Sequence, residues 1–178
     1  MKDQLTPGVI AVSLLLSGLG STAHADAGSS AAASPRVPRT TAASRHDLLV
    51  DKRGIAAQGY DVVSYVDDGK AVRGRRNLAA HHGGATYLFA SKAHRRAFLS
   101  NPSRYLPEFG GYCAFAVAKK QAKVQPNPET FRIQNGRLLL FFNGPFEGKI
   151  VDTSAMWDES PDSMLIEADS NWPSVSAK

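Results

Sequence analysis

Short apolar blocks separated by turn residues run through most of this chain, and their periods predict a sequence of small elements. Gly54 to Val66 is apolar with Gly59-Tyr60-Asp61 as a turn, and Asp61 is placed to cap a short helix carrying Val62, Val63 and Tyr65. Asp67-Asp68-Gly69 is a turn signal, and Lys70 to Arg76 an exposed loop or edge. Leu78–His82 and Ala85–Phe89 flank Gly83-Gly84, which predicts a hairpin with Tyr87 and Phe89 on one face and Thr86 and Leu88 on the other. Ser91 predicts an N-cap for a helix reaching about Ser100, with Ala93, Ala97 and Phe98 inward and Lys92, Arg95 and Arg96 outward; Asn101-Pro102 ends it.

Gly110-Gly111 predicts a sharp reversal into Tyr112–Val117, whose aromatic and β-branched content suits a buried strand. Lys119 to Pro128 is expected as a basic loop. Asn135-Gly136 between Phe131–Gln134 and Arg137–Phe142 is the strongest hairpin signal in the chain. Ser160-Pro161-Asp162 opens a last helix with Met164, Leu165 and Ala168, and Asn171-Trp172-Pro173 closes the domain. Strands with helices between them, without a repeating βαβ unit, predict an α+β domain of β-hairpins and short helices. No internal repeat of useful length is visible.

The first residues have the pattern of an export signal, residues 1–25. Lys2 and the amino terminus precede an apolar run from Val9 to Leu16, and Ala23-His24-Ala25 supplies a small-x-small cleavage site. The run is too short to span a membrane, and without a preceding Arg-Arg pair it predicts the general secretory route, hence a periplasmic or secreted protein. Residues 26–46, rich in Ala, Ser, Pro and Thr, are expected to form a flexible linker. Residues 47–174 are expected to form one domain, and residues 175–178 a tail. With one cysteine, Cys113, no internal disulfide is available.

The net charge of +5 is unevenly spread. Residues 26–124 hold 16 Lys and Arg against 7 Asp and Glu, whereas residues 125–178 hold 4 against 8. Either the two halves meet through opposite charge, or Arg73, Arg75, Arg76, Arg95 and Arg96 form a face for an anionic surface or acidic partner. Nucleic acid is a poor partner for an exported chain. No transmembrane helix is expected after signal cleavage.

Gly59-Tyr60-Asp61 with Tyr65, Gly84-Ala85-Thr86-Tyr87 with Phe89-Ala90-Ser91, Ala97-Phe98, Asn101-Pro102 with Tyr105, Gly110-Gly111-Tyr112-Cys113-Ala114 and Asn171-Trp172-Pro173 occur in order. In these residues the chain resembles an exported, stand-alone member of the YHS domain family. The resemblance implies a metal-binding module. The family pattern places one cysteine at the end of a Phe-Cys-Ser strand, another four residues on, and a further one upstream. Here the first two positions hold Ala90 and His94, and no cysteine lies in the upstream segment, Gly59–Tyr65. The four N/S ligands of a structural zinc site are therefore missing.

The remaining metal candidates are Cys113 with His94, joined by His81 or His82, a thiolate and imidazole set suited to copper or zinc. Against it, His81 and His82 are neighbours that a strand would point to opposite faces, and the alternative is surface histidines beside a packed Cys113. A Cys113 nucleophile with His94 as base meets the needs of an enzyme by residue type alone. Asp67-Asp68 and Asp158-Glu159 have the setting of loop and cap charges, and no phosphate loop, nucleophile elbow or His-Glu-x-x-His is present. The expected function is a binding module, with a metal ion, copper or zinc, as one candidate ligand. The alternative is a non-catalytic interaction domain using the basic face or an aromatic pocket around Tyr60, Tyr65, Tyr87 and Trp172, and a cysteine-dependent enzyme comes third.

Overall fold

A computed structural model describes residues 47–178; the export signal and the linker expected for residues 1–46 lie outside the described residues. The elements, in order, are α1 (Val62–Asp67), β1 (Arg75–His82), β2 (Ala85–Phe89), α2 (Lys92–Ser100), α3 (Ala114–Lys120), β3 (Asn127–Gln134), β4 (Arg137–Phe141), β5 (Asn143–Phe146), β6 (Lys149–Asp152), α4 (Thr153–Asp158) and α5 (Pro161–Ser176). The strands pair as three antiparallel hairpins, β1–β2, β3–β4 and β5–β6. The domain is α+β.

Each hairpin turns on two residues with positive φ: Gly83-Gly84, Asn135-Gly136 and Glu147-Gly148. That pair of left-handed residues matches the twist of the flanking strands. Asp61 caps α1 by accepting the Val63 N–H, and Ser91 caps α2 by accepting the His94 N–H. Leu138 and Leu140 of β4 enter one apolar cluster with Val62, Tyr65, Tyr87, Phe89 and Phe98. Leu139 and Phe141 enter a second with Val117, Trp157, Leu165 and Ala168. The period of two along β4 thus buries both of its faces and joins the two halves of the core. Arg137 fastens α5 to this hairpin with a fork onto Asp169 at 2.8 and 2.6 Å and a third bond to Glu108 at 3.0 Å.

Four expectations are corrected. Tyr112–Val117 is not a strand: Cys113 stands at the N-cap of α3, where alanine content and burial of Ala114, Ala116, Val117 and Ala118 outweigh the β-forming Phe115 and Val117. Ala93 is exposed, leaving Phe98 as the buried anchor of α2. Asn171-Trp172-Pro173 does not end the domain, since α5 passes through Pro173 to Ser176 and Val175 is buried, so residues 175–178 are not a free tail. The fourth concerns repetition.

Two segments repeat one local fold at an offset of 52 residues. The bridge from Ile55 to Thr86 recurs from Pro107 to Leu138. The left-handed triplet Ala57-Gln58-Gly59 recurs as Phe109-Gly110-Gly111. The bond from Ala56 N–H to Thr86 O recurs from Glu108 to Leu138, and that from Asp61 N–H to Val72 O recurs from Cys113 to Val124. The β1–β2 register, broken between Arg75 and Ala79, recurs in β3–β4 between Asn127 and Phe131. The shared frame is a left-handed turn, a short helix and a bulged hairpin. Gly59, Tyr60, Val72, Gly84, Leu88 and Phe89 are the residues that stay the same at Gly111, Tyr112, Val124, Gly136, Leu140 and Phe141, too few to be seen in the sequence.

Candidate functional site

In the first unit the turn at Ala57–Gly59 and the bond to Val72 O deliver Asp61 to the start of α1, with no part of it exposed. Its Oδ1 accepts the Val63 N–H at 2.9 Å. Its Oδ2 accepts the Ala90 N–H at 2.7 Å and lies 2.7 Å from His94 Nδ1. One carboxylate therefore ties together α1, the end of β2 and α2. A buried carboxylate requires such partners, because uncompensated burial of its charge is costly.

Because Nδ1 faces a carboxylate, it carries the proton, and His94 Nε2 is directed elsewhere. Nε2 lies 3.5 Å from Asp68 Oδ2, beyond the usual hydrogen-bond range. The His94 side chain is 21% exposed and that of Asp68 44%, so the gap between them opens to solvent. A neutral imidazole nitrogen and a carboxylate are both acceptors; a proton or another cation between them turns that opposition into attraction. Ser64 braces the turn beneath, donating within reach of both Asp61 O and Lys70 O.

The second unit has Cys113 where the first has Asp61. Its Sγ accepts the Phe142 N–H at 3.3 Å, as Asp61 accepts that of Ala90. Thr153 Oγ1 lies 3.4 Å from the sulfur and donates its own proton to Phe142 O at 2.8 Å, so the thiol proton points to Thr153. Cys113 is fully buried and both of its hydrogen-bonding roles are met within the fold.

The residues singled out in the sequence do not converge. Cys113 meets Thr153 and Phe142, whereas His94 meets Asp61 and Asp68. His81 is exposed with Nδ1 3.0 Å from Thr86 Oγ1, while His82 lays its ring edge-on to Phe98 at 5.8 Å. Among the described residues no group of three or more His, Cys, Asp or Glu is placed to hold a metal ion. The aromatics are dispersed likewise: Tyr65 packs on Tyr60 and Phe131, Tyr87 on Phe98, and Trp172 on Phe109 and Tyr112. Burial raises the phenol pKa of Tyr65 and pushes that of Tyr87 up to about 12, as expected for packed rings.

Asp61 and Asp68 are the site residues that sequence reasoning missed. Asp61 carried a signal, its cap position, but a cap uses one oxygen and nothing local announces the tasks of the other. No helix among the described residues is long and apolar enough to cross a membrane. Compared with known proteins, the chain matches no family model, no curated protein and no solved structure.

Proposed function

We propose that this chain is an exported, non-catalytic binding module that takes a divalent metal ion, copper or zinc, between His94 Nε2 and Asp68. The observation that carries the reading is the buried Asp61 carboxylate 2.7 Å from His94 Nδ1. Metal-ligating histidines commonly donate their other ring N–H to a carboxylate, which fixes the ring and raises its basicity. Two protein ligands with water completing the shell make an exchangeable site, unlike a closed structural zinc centre.

The resemblance to the YHS family supports the location. Its ligand positions correspond to Ala90, His94 and the Gly59–Tyr65 segment, and Asp61 of that segment is bonded to both of the others. The thiolate set of that family does not fit here, because no cysteine occupies any of the three positions. Imidazole and carboxylate remain, a donor set that suits zinc(II) and copper(II).

Equilibrium dialysis against zinc(II) and copper(II) tests the proposal. Saturable one-to-one binding is expected, lost in H94A and weakened in D68N. Absence of saturable binding in the wild type, or its persistence in H94A, sinks the reading. The second reading is a domain that contacts a partner without metal, and the lack of a three-residue ligand group among the described residues favours it.

A further inference from the structure

The two repeated units differ at the outer side of their left-handed turns. In the second unit the turn is covered. Leu49 N–H bonds to Gly110 O at 2.8 Å, and a Cβ on Gly110 would stand 1.8 Å from Asp47 O. In the first unit the equivalent residue is Gln58, and the turn borders an open cleft of about 220 Å³ lined by Asp51, Ile55, Gln58, Arg73, Arg76 and Leu88. A second cleft of about 280 Å³ shares Asp51, Ile55 and Gln58 and adds Lys52.

The frame itself does not require arginine here. Arg73, Gly74 and Arg76 correspond to Gln125, Pro126 and Pro128 in the second unit, which builds the same bulged hairpin without a cation. Gly74 allows the arginine-bearing segment to lie against the backbone of Leu88, since a Cβ there would come within 2.4 Å of the Leu88 carbonyl carbon. Arg73 is held in place: its guanidinium lies 4.4 Å from the Tyr60 ring centroid, and Nη1 donates to Gln58 O at 3.2 Å. Arg76 is exposed and makes no ion pair among the described residues. The cleft's carboxylate, Asp51, turns Oδ1 into its own loop, accepting the Arg53 and Ile55 N–H groups.

We propose that this cleft binds a phosphate group, with Arg73 and Arg76 as its two guanidinium ligands. A planar fork of N–H donors matches the oxygens of phosphate, and a guanidinium already stacked on tyrosine loses little freedom on binding. Lys52 in the adjoining cleft extends the positive field. The phosphate is that of a small soluble molecule or of a lipid headgroup, and the two sources make the same contacts.

Calorimetric titration of the purified protein with inorganic phosphate, at ionic strength held constant with chloride, reads the site directly. R76Q is expected to weaken binding about tenfold, the scale of one charge-assisted hydrogen bond, and R73Q at least as much. R95Q/R96Q, which removes the same kind of charge from residues that do not line either cleft, should bind as the wild type does. Co-sedimentation with phosphatidylcholine vesicles containing phosphatidylglycerol separates the sources: capture that inorganic phosphate competes away assigns the headgroup, and phosphate binding without capture assigns a soluble ligand. The proposal is overturned if phosphate gives no saturable heat, or if R95Q/R96Q weakens binding as much as R76Q does. The Arg76 side chain makes no hydrogen bond or ion pair among the described residues, so R76Q removes none and the test stands even if R73Q fails to fold.

Discussion

Asp61 and Cys113 hold equivalent places in two copies of one local fold, each at a helix start and each accepting the N–H of the residue after a hairpin strand, Ala90 and Phe142. The same task is done by a carboxylate that also binds His94 and by a thiol that also meets Thr153. One frame therefore offers two sites of different chemistry. In the first, the imidazole carries the arrangement out to solvent; in the second, the polar groups close on one another inside the core.

This equivalence predicts different costs for one substitution. A serine at Cys113 can still accept the Phe142 N–H and donate to Thr153, so C113S should cost about 1 kcal/mol, the worth of a slightly altered hydrogen bond. A serine at Asp61 can still cap α1 but leaves the Ala90 N–H and His94 without the carboxylate. D61S should cost about 3 kcal/mol or more, the scale of two lost hydrogen bonds to a charged group. Urea denaturation of both variants checks this, and equal shifts would show that Asp61 is only a cap.

Glycines in the frame should separate by what surrounds them. At Gly74 the obstacle to a Cβ is the backbone of Leu88, and at Gly110 it is Asp47 O, while at Gly136 nothing lies within 4 Å. G136A meets only the strain of a left-handed alanine, about 1–2 kcal/mol. G110A adds a backbone clash to its own φ of +61° and should lower the thermal midpoint further than G136A. G74A should do so through overpacking, without left-handed strain. If G136A proves the most damaging of the three, the close approaches at Gly74 and Gly110 do not hold in solution.

How far the chain could be read from its residues follows from where the determinants lie. Hairpin turns and helix caps were legible because Asn135-Gly136, Gly83-Gly84, Asp61 and Ser91 decide them within a few residues. α3 was not, since a strand-like Tyr-Cys-Ala-Phe-Ala-Val becomes a helix by repeating the frame of α1. The β5–β6 hairpin and α4 went unread: Glu147-Gly148 is a weaker turn signal, and α4 is one short helix capped by Asp152. In the site, His94 was legible as a ligand-type residue at a position where the resembled family has a ligand. Its partners were not, because Asp61 and Asp68 reach it across more than twenty residues of chain through tertiary packing.

Alkaline stability should fall in a defined direction. Burial raises the phenol pKa of Tyr65 and of Tyr87, the latter to about 12, and also those of Tyr60, Tyr105 and Tyr112. An unfolded tyrosine titrates near 10, so the folded state holds its phenolic protons longer. The resulting stability is complete below about pH 10 and is lost as pH rises through the folded values. Denaturation midpoints should drop steeply between about pH 10 and about pH 12, and Y87F should reduce that slope. In acid the sign reverses for Asp152, whose carboxyl is held low by the Ser154 hydroxyl, so its contribution disappears as pH falls through its folded value. A Y87F variant with an unchanged alkaline slope would remove Tyr87 from this account.

The reactivity of Cys113 is set by its environment. Alkylation needs a thiolate within reach of the reagent. Here the sulfur is fully buried, its proton is directed to Thr153 and its lone pair takes the Phe142 N–H. Iodoacetamide near neutral pH should therefore label the native protein only through transient opening, and label it completely in denaturant. The native rate should follow the stability of the fold, rising in C-terminal variants such as R137A that loosen α5 from its hairpin. Rapid labelling of the native wild type would place the thiol at the surface, contradict the closed second unit, and return Cys113 to the metal and catalytic readings open to it as an exposed residue.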